Sequence, residues 1–286
     1  MPMSAYEVLH PDQNRSCVVF ASPHSGCDYP WSFLRTTVLD EHAIRSSEDA
    51  FVDQLFECVP QFGAPFIRAG APRAYVDLNR SCEELDPALI EGVGRQGHNP
   101  RVASGLGVVP RVVANGRAIY RGKMSRSEAE HRIQNFWHPY HKKLRELLDA
   151  AQQRHGQAVL IDCHSMPHEA MDGVVRSGMR RPDVVLGDRF GAAASGDVVD
   201  RVEAAFAAAG FTVTRNTPFA GAYITQAYGR PSRGQHAVQV EIDRSLYMNE
   251  ALIRPNGNYD TVRAALRQVV AEIATIGQGR VPLAAE

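Results

Sequence analysis

Two histidines stand where a chain of this kind can do chemistry. His24 lies in Ser22-Pro23-His24-Ser25-Gly26, directly after the apolar run Cys17–Ala21. His164 follows Ala158–Cys163 in the same way, ahead of Ser165-Met166-Pro167. Both runs read as buried strands, and in open α/β sheets ligands gather at the carboxyl ends of strands. Two imidazoles so placed can converge on a metal ion, although a lone one is well explained as a hydrogen-bonded loop residue. Catalytic zinc takes three protein ligands and keeps a fourth position for water. Glu48 and Asp49 open the helical pattern after His24. A helix dipole accounts for one acid there, which leaves the other to face a site.

Other residues carry two readings each. In Ala237–Ile242 the side chains of Gln239 and Glu241 share one strand face. They are either the polar face of an antiparallel edge or a general base projecting into a site. Asn79 and Arg80 end the segment Asp77-Leu78-Asn79-Arg80, Arg121 follows Tyr120, and Arg230 sits in Tyr228-Gly229-Arg230-Pro231. Each Arg is a surface residue or a bidentate carboxylate grip. His138 and His141 sit among core-type residues with Pro139 between them, which favours packing over metal ligation. Cys163 should point away from His164, against a thiol-hydrolase reading. Gly105-Leu106-Gly107 lacks the frame of a dinucleotide fingerprint.

These residues need a scaffold of alternating strands and helices. The pattern predicts a helix over 48–62, ending near Pro60, and strands over 74–78, 158–163, 184–186, 211–215 and 237–242. It predicts helices near 198–209 and 260–276, and a helix after the capping box Ser125/Glu128 that Pro139 kinks or divides. The Gly/Arg/Pro-rich stretch Gly92–Gly122 reads as an excursion over the active face. A length of 286 residues fits one α/β domain, 1–286. The net charge of -1, from 31 basic and 32 acidic residues, gives no electrostatic case for nucleic acid or an anionic membrane. Five cysteines without C-x-x-C spacing fit reduced thiols in the cytoplasm. No signal peptide or membrane span is expected.

Eight segments in order resemble the N-formylglutamate amidohydrolase (formylglutamate deformylase) family. They begin at Ser22 (SPHSGCDYP), Glu48 (EDAFVDQLF), Tyr75 (YVDLNR), Gly105 (GLGVVPR), Trp137 (WHPYH), Leu160 (LIDCHSMP), Gly221 (GAYITQAYGRP) and Ala237 (AVQVEIDRSLYM). The resemblance implies a mixed, eight-stranded-type central sheet flanked by helices, similar to zinc carboxypeptidases. It implies one Zn2+ per chain held by His24, Asp49 and His164, with Glu241 as general base. Asp49 matches the acidic position better than Glu48. Arg80 is implied at the carbonyl, and Asn79, Arg80, Arg121, Tyr223, Thr225 and Arg230 in substrate binding. Asp162 is a candidate partner behind a ligand, or a structural residue of its strand. One departure stands out: the carboxypeptidase Glu three residues after the first His is here Cys27, with Asp28 a lesser candidate.

The implied activity is hydrolysis of N-formyl-L-glutamate, a small anionic substrate, to formate and glutamate in histidine breakdown, by a monomer or small homo-oligomer. The alternatives are a zinc acylase or peptidase for another small amide, a non-catalytic binding protein, and a cysteine hydrolase using Cys163. Fe2+, Co2+ or Mn2+ also suits two histidines and a carboxylate.

Overall fold

A computed structural model describes residues 4–94, 99–174 and 180–278. Seven strands form its main sheet: β1 Tyr6–Leu9, β2 Val18–Ser22, β3 Phe66–Ala69, β4 Ala158–Met166, β5 Val184–Gly187, β6 Val213–Arg215 and β7 Gln235–Asp243. They lie in the order β1-β3-β2-β4-β7-β5-β6. The central strands β3, β2, β4 and β7 run parallel, whereas β1 and β5 run antiparallel to their inner neighbours. The fold class expected from the sequence, a mixed sheet flanked by helices, is the one observed. The main sheet has seven strands among the described residues, where an eight-stranded type was expected.

Strands buried on both faces read as continuous apolar runs, and every residue of β2 and β4 is buried. Val159, Ile161 and Cys163 of β4 join Val238, Val240 and Ile242 of β7 in one apolar layer, shared with the helices Gly196–Ala208 and Tyr259–Ile273. Leu160 and Ala237 lie in the opposite layer with Tyr140, Leu144, Leu148 and Ala151, a stripe of the helix His138–His155. That helix stops at Gly156, whose φ of 75° suits a glycine C-cap. Truncating the fully buried Leu160 to Ala would cost about 2–5 kcal/mol.

This second face changes character along its length. From strand start to carboxyl end β4 presents Ala158, Leu160, Asp162 and His164, and β7 presents Ala237, Gln239 and Glu241 in register. The apolar half seats the helix, and the polar half opens beside it. After β2 the chain goes to β3 on one side, and after β4 it goes to β5 on the other. The crevice where connections diverge is where open sheets bind ligands.

Some local expectations are corrected. The segment 48–62 is not one helix but a short helix Val52–Leu55 and a 3-10 turn Val59–Phe62. Phe51 has φ 68°, and this left-handed residue blocks an earlier helix start. Residues 74–78 form no strand, because their backbone groups are spoken for elsewhere. The Tyr75 and Leu78 carbonyls accept from the side chains of Arg132 and His141, and Asp77 N donates to Val108 O. The helix expected to kink or divide at Pro139 is divided there: Arg126–Arg132 passes through a π-turn at Ile133–Trp137 into His138–His155, with Pro139 in the first turn. Ser125 caps that helix by accepting from Glu128 N, but the Glu128 side chain turns to Arg132. All five cysteines are free thiols, and among the described residues no helix is long and apolar enough to cross a membrane.

Candidate metal centre

His24, Asp49 and His164 meet at the β2/β4 crevice, with one ligand-type atom from each lying within 4.8 Å of the others. All three side chains are buried. The chain reaches this arrangement by close backbone packing. Gly26 passes so near the loop after β3 that an added Cβ would lie 2.2 Å from Ala71 O. Asp49 N donates to His24 O at 3.0 Å, which ties the acid to the histidine's own loop.

Each imidazole is fixed from behind. His24 Nε2 lies 2.7 Å from Asp77 Oδ1, and His164 Nε2 lies 3.0 Å from Asp162 Oδ2. These carboxylates accept a ring N–H and leave both Nδ1 atoms turned toward Asp49 Oδ2, at 3.5 Å from His24 and 2.9 Å from His164. Carboxylate–histidine pairs of this kind set the tautomer of metal-binding histidines. Asp77 is itself held by Arg73 Nε at 3.1 Å and by Asn79 N at 2.9 Å. Asp49 Oδ1 accepts from Arg244 Nη2 at 2.9 Å, so Oδ2 is the oxygen presented to the cluster.

The donor set fits a cation. His24 Nδ1 is buried without a hydrogen-bond partner, which is costly unless another group engages it. Burial pushes the Asp49 carboxyl up, but the hydrogen bond from His164 and the two adjacent imidazoles outweigh it and hold it well below the usual range. Burial opposes charge on His164, yet the Asp162 charge and the bonds to Asp162 and Asp49 raise its pKa well above the ordinary value. Without a metal, this geometry favours a proton between His164 and Asp49, the charge a cation would replace.

Glu48 faces elsewhere: its Oε1 accepts from Tyr29 Oη at 2.6 Å and from Arg45 Nε at 3.0 Å. Asp28 is exposed and outside the cluster. Glu241 stands beside His164 in strand register and shares the cavity. Its strand is internal, between β4 and β5, so the edge-strand reading does not apply. Burial, set against the His164 charge, pushes the Glu241 carboxyl up to about 7.

The cavity over these residues measures about 670 Å³ and is lined by Arg73, Arg80, Arg101 and Arg244. The chain matches the family model N-formylglutamate amidohydrolase over residues 16–248. The chain belongs to this family. It is 30% identical to an N-formylglutamate deformylase of Pseudomonas aeruginosa, over 96% of this chain and 98% of that one. It is 29% identical to an N-formylglutamate deformylase of Pseudomonas putida, over 85% and 86%. The crystal structure of N-formylglutamate amidohydrolase from Ralstonia eutropha JMP134 superposes with a TM-score of 0.87 at 33% identity, covering 94% of this chain and 96% of that one.

The family motifs distribute unevenly around the cavity. Asn79 and Arg80 line it, but both ends of the Asn79 amide are engaged: Oδ1 accepts from Ile224 N at 2.7 Å, and Nδ2 donates to Gln239 Oε1 at 3.4 Å. Arg121 lies in a separate cleft with Tyr120 and Lys123. Tyr223 faces a third cleft with Trp137, and buried Thr225 Oγ1 donates to Ala222 O. Arg230 is exposed and donates to the Gln226 and Gly229 carbonyls. Trp137 and His141 of the WHPYH segment hold the site from outside, donating to the carbonyls of Arg80 and Leu78 at 2.8 Å. Cys163 points into the opposite apolar layer. The sequence reading gave no role to Arg73, Arg101 or Arg244. Arg73 had one signal, its place four residues before Asp77, whereas Arg244 reaches Asp49 across 195 positions.

Proposed function

We propose that this chain hydrolyses N-formyl-L-glutamate to formate and L-glutamate, using one Zn2+ held by His24, Asp49 and His164. The observation that carries this reading is the convergence of both Nδ1 atoms on Asp49 Oδ2, each ring backed by its own carboxylate. Family membership supports the substrate. Bound zinc supplies Lewis acidity that polarises a carbonyl and lowers the pKa of water from about 15.7 towards about 7.

The protein's own groups do the rest. Glu241 takes a proton from the attacking water and delivers it to the departing nitrogen, a role suited to a carboxyl near neutrality. Arg80 lines the cavity, and its guanidinium donates to the carbonyl oxygen as charge develops there; one such donor is typically worth about 3–4 kcal/mol. Arg73 and Arg101 face the same cavity and suit the substrate's carboxylates. Water adds across one amide bond, yielding one formate and one amine.

The same two-layered sheet supports reading residues 1–286 as one amidohydrolase domain. The free thiols support a cytoplasmic setting, with the chain acting as a monomer or small homo-oligomer. The test is formate and glutamate release by the purified, zinc-loaded chain, with N-acetylglutamate, other N-acyl amino acids and short peptides in parallel. Turnover of those comparators without turnover of N-formylglutamate would replace this reading with an acylase or peptidase.

A further inference from the structure

Gln239 precedes Glu241 by two residues on β7, so both side chains leave the same strand face. Its neighbours in register are Asp162 on β4 and Gly187 on β5. Its amide is buried and engaged at both ends. Oε1 accepts from Ala222 N at 3.0 Å and from Asn79 Nδ2 at 3.4 Å, while Nε2 donates to Glu241 Oε1 at 2.8 Å. The orientation is dictated by chemistry: a backbone N–H can only donate, so the amide oxygen must face Ala222 and the nitrogen must face Glu241.

The loop bearing Ala222 is itself fixed. Pro218 to Ala222 line the cavity. A Cβ on Gly187 would lie 2.7 Å from Ala220 C and Gly221 N, so glycine there lets the loop settle against the sheet. The Ala222 N–H is thereby brought to Gln239.

We infer that Gln239 is the positioning residue for Glu241, holding Oε1 as a fixed acceptor and leaving Oε2 to take and return the proton. The inference rests on the proposed amide hydrolysis. An oxygen already accepting an N–H is the less basic of the pair, and a carboxyl pinned at one oxygen has lost the rotation that would misdirect the other. Gln239 thus links the cavity loop to the proton-transfer group.

The test uses zinc-loaded full-length enzyme and N-formyl-L-glutamate. Gln239→Met keeps side-chain length and removes both polar ends. Gln239→Glu keeps an acceptor for Ala222 but sets a second carboxylate against Glu241. Both should lower kcat about 30- to 100-fold, with KM within about twofold and with zinc content preserved. In a Glu241→Gln background Gln239→Met should lower residual turnover no further, because its effect passes through Glu241. If Gln239→Met does not fold, Gln239→Glu carries the same comparison. Wild-type kcat in the folded Gln239 variants, or an equal loss in the Glu241→Gln background, would overturn the inference. If Glu241→Gln alone keeps full turnover, the underlying reading falls too. If Glu241→Gln is inactive while Gln239 variants are normal, this inference alone falls.

Discussion

His24 Nε2 sits 2.7 Å from Asp77 Oδ1, and that contact decides which ring nitrogen His24 offers to the site. Asp77 comes from a loop with no strand partner, so its position depends on Arg73, Asn79 and the helix residues that hold the neighbouring carbonyls. Replacing Asp77 with Asn should weaken zinc binding about 10- to 100-fold while the fold survives. Competition with a chelator measures this, and unchanged affinity would remove Asp77 from the ligand support.

Removing Glu241's basicity separates turnover from metal binding. Glu241→Gln should lower kcat by about 10²- to 10⁴-fold with zinc stoichiometry unchanged. In the wild type the base must be ionised, so kcat/KM should fall as pH drops through the carboxyl's pKa. Burial, set against the His164 charge, puts that pKa near 7, and a bound cation moves the acid limb lower. A profile flat from pH 7 to 4.5 would exclude Glu241 as the base.

Zinc should bind with release of a proton. His164 holds its proton strongly beside Asp162 and Asp49 in the metal-free geometry. A cation at Nδ1 displaces that proton, so affinity should rise with pH up to neutrality. Calorimetry in two buffers of different ionisation enthalpy counts the protons; a count of zero at pH 6 would contradict this geometry.

His141 makes stability pH-dependent without touching the cavity. Burial drives its pKa down to about 3, and the ring donates to Leu78 O as a neutral group. Between about 6.5 and about 3 the unfolded chain binds a proton that the folded chain refuses. The stabilisation is complete above about 6.5 and declines on acidification, by roughly 3–5 kcal/mol at the lower limit. His141→Gln should unfold more easily at pH 7 and show a shallower decline between pH 6.5 and 4. An identical slope would place the titration elsewhere.

The residues contributed by strands were readable from sequence, since alternation alone put Gln239 and Glu241 on one face and Cys163 opposite His164. Choosing Asp49 over Glu48 was not readable from pattern. It depends on the left-handed turn at Phe51 and on Arg45 and Tyr29 drawing Glu48 away. The segment at Asp77 misled because AYVDL has strand composition, while its backbone groups pair with side chains and a loop instead. Apart from Arg80, the cavity arginines were hidden for a related reason. Arg121 and Arg230 sit in conspicuous motifs, whereas Arg73 carried only its spacing to Asp77, and Arg244 reaches Asp49 across 195 positions.

That difference yields the sharpest comparison of substrate contacts. Arg121 lies in a cleft apart from the metal cluster, and the Arg230 guanidinium caps nearby carbonyls. Arg121→Ala and Arg230→Ala should therefore leave KM for N-formylglutamate within about twofold, as surface substitutions usually act weakly. Arg101 is an exposed residue that lines the cavity, and its loss does not uncouple a buried partner. Arg101→Ala should raise KM about tenfold or more with kcat less affected, because a charge-assisted hydrogen bond contributes about 1.5–3 kcal/mol. In the proposed reaction Arg80 faces the developing charge, so Arg80→Ala should lower kcat about 10²- to 10³-fold. Steady-state kinetics on the four variants resolve the assignment. A raised KM in Arg121→Ala beside an unaffected Arg101→Ala would move the carboxylate contact to the outer cleft.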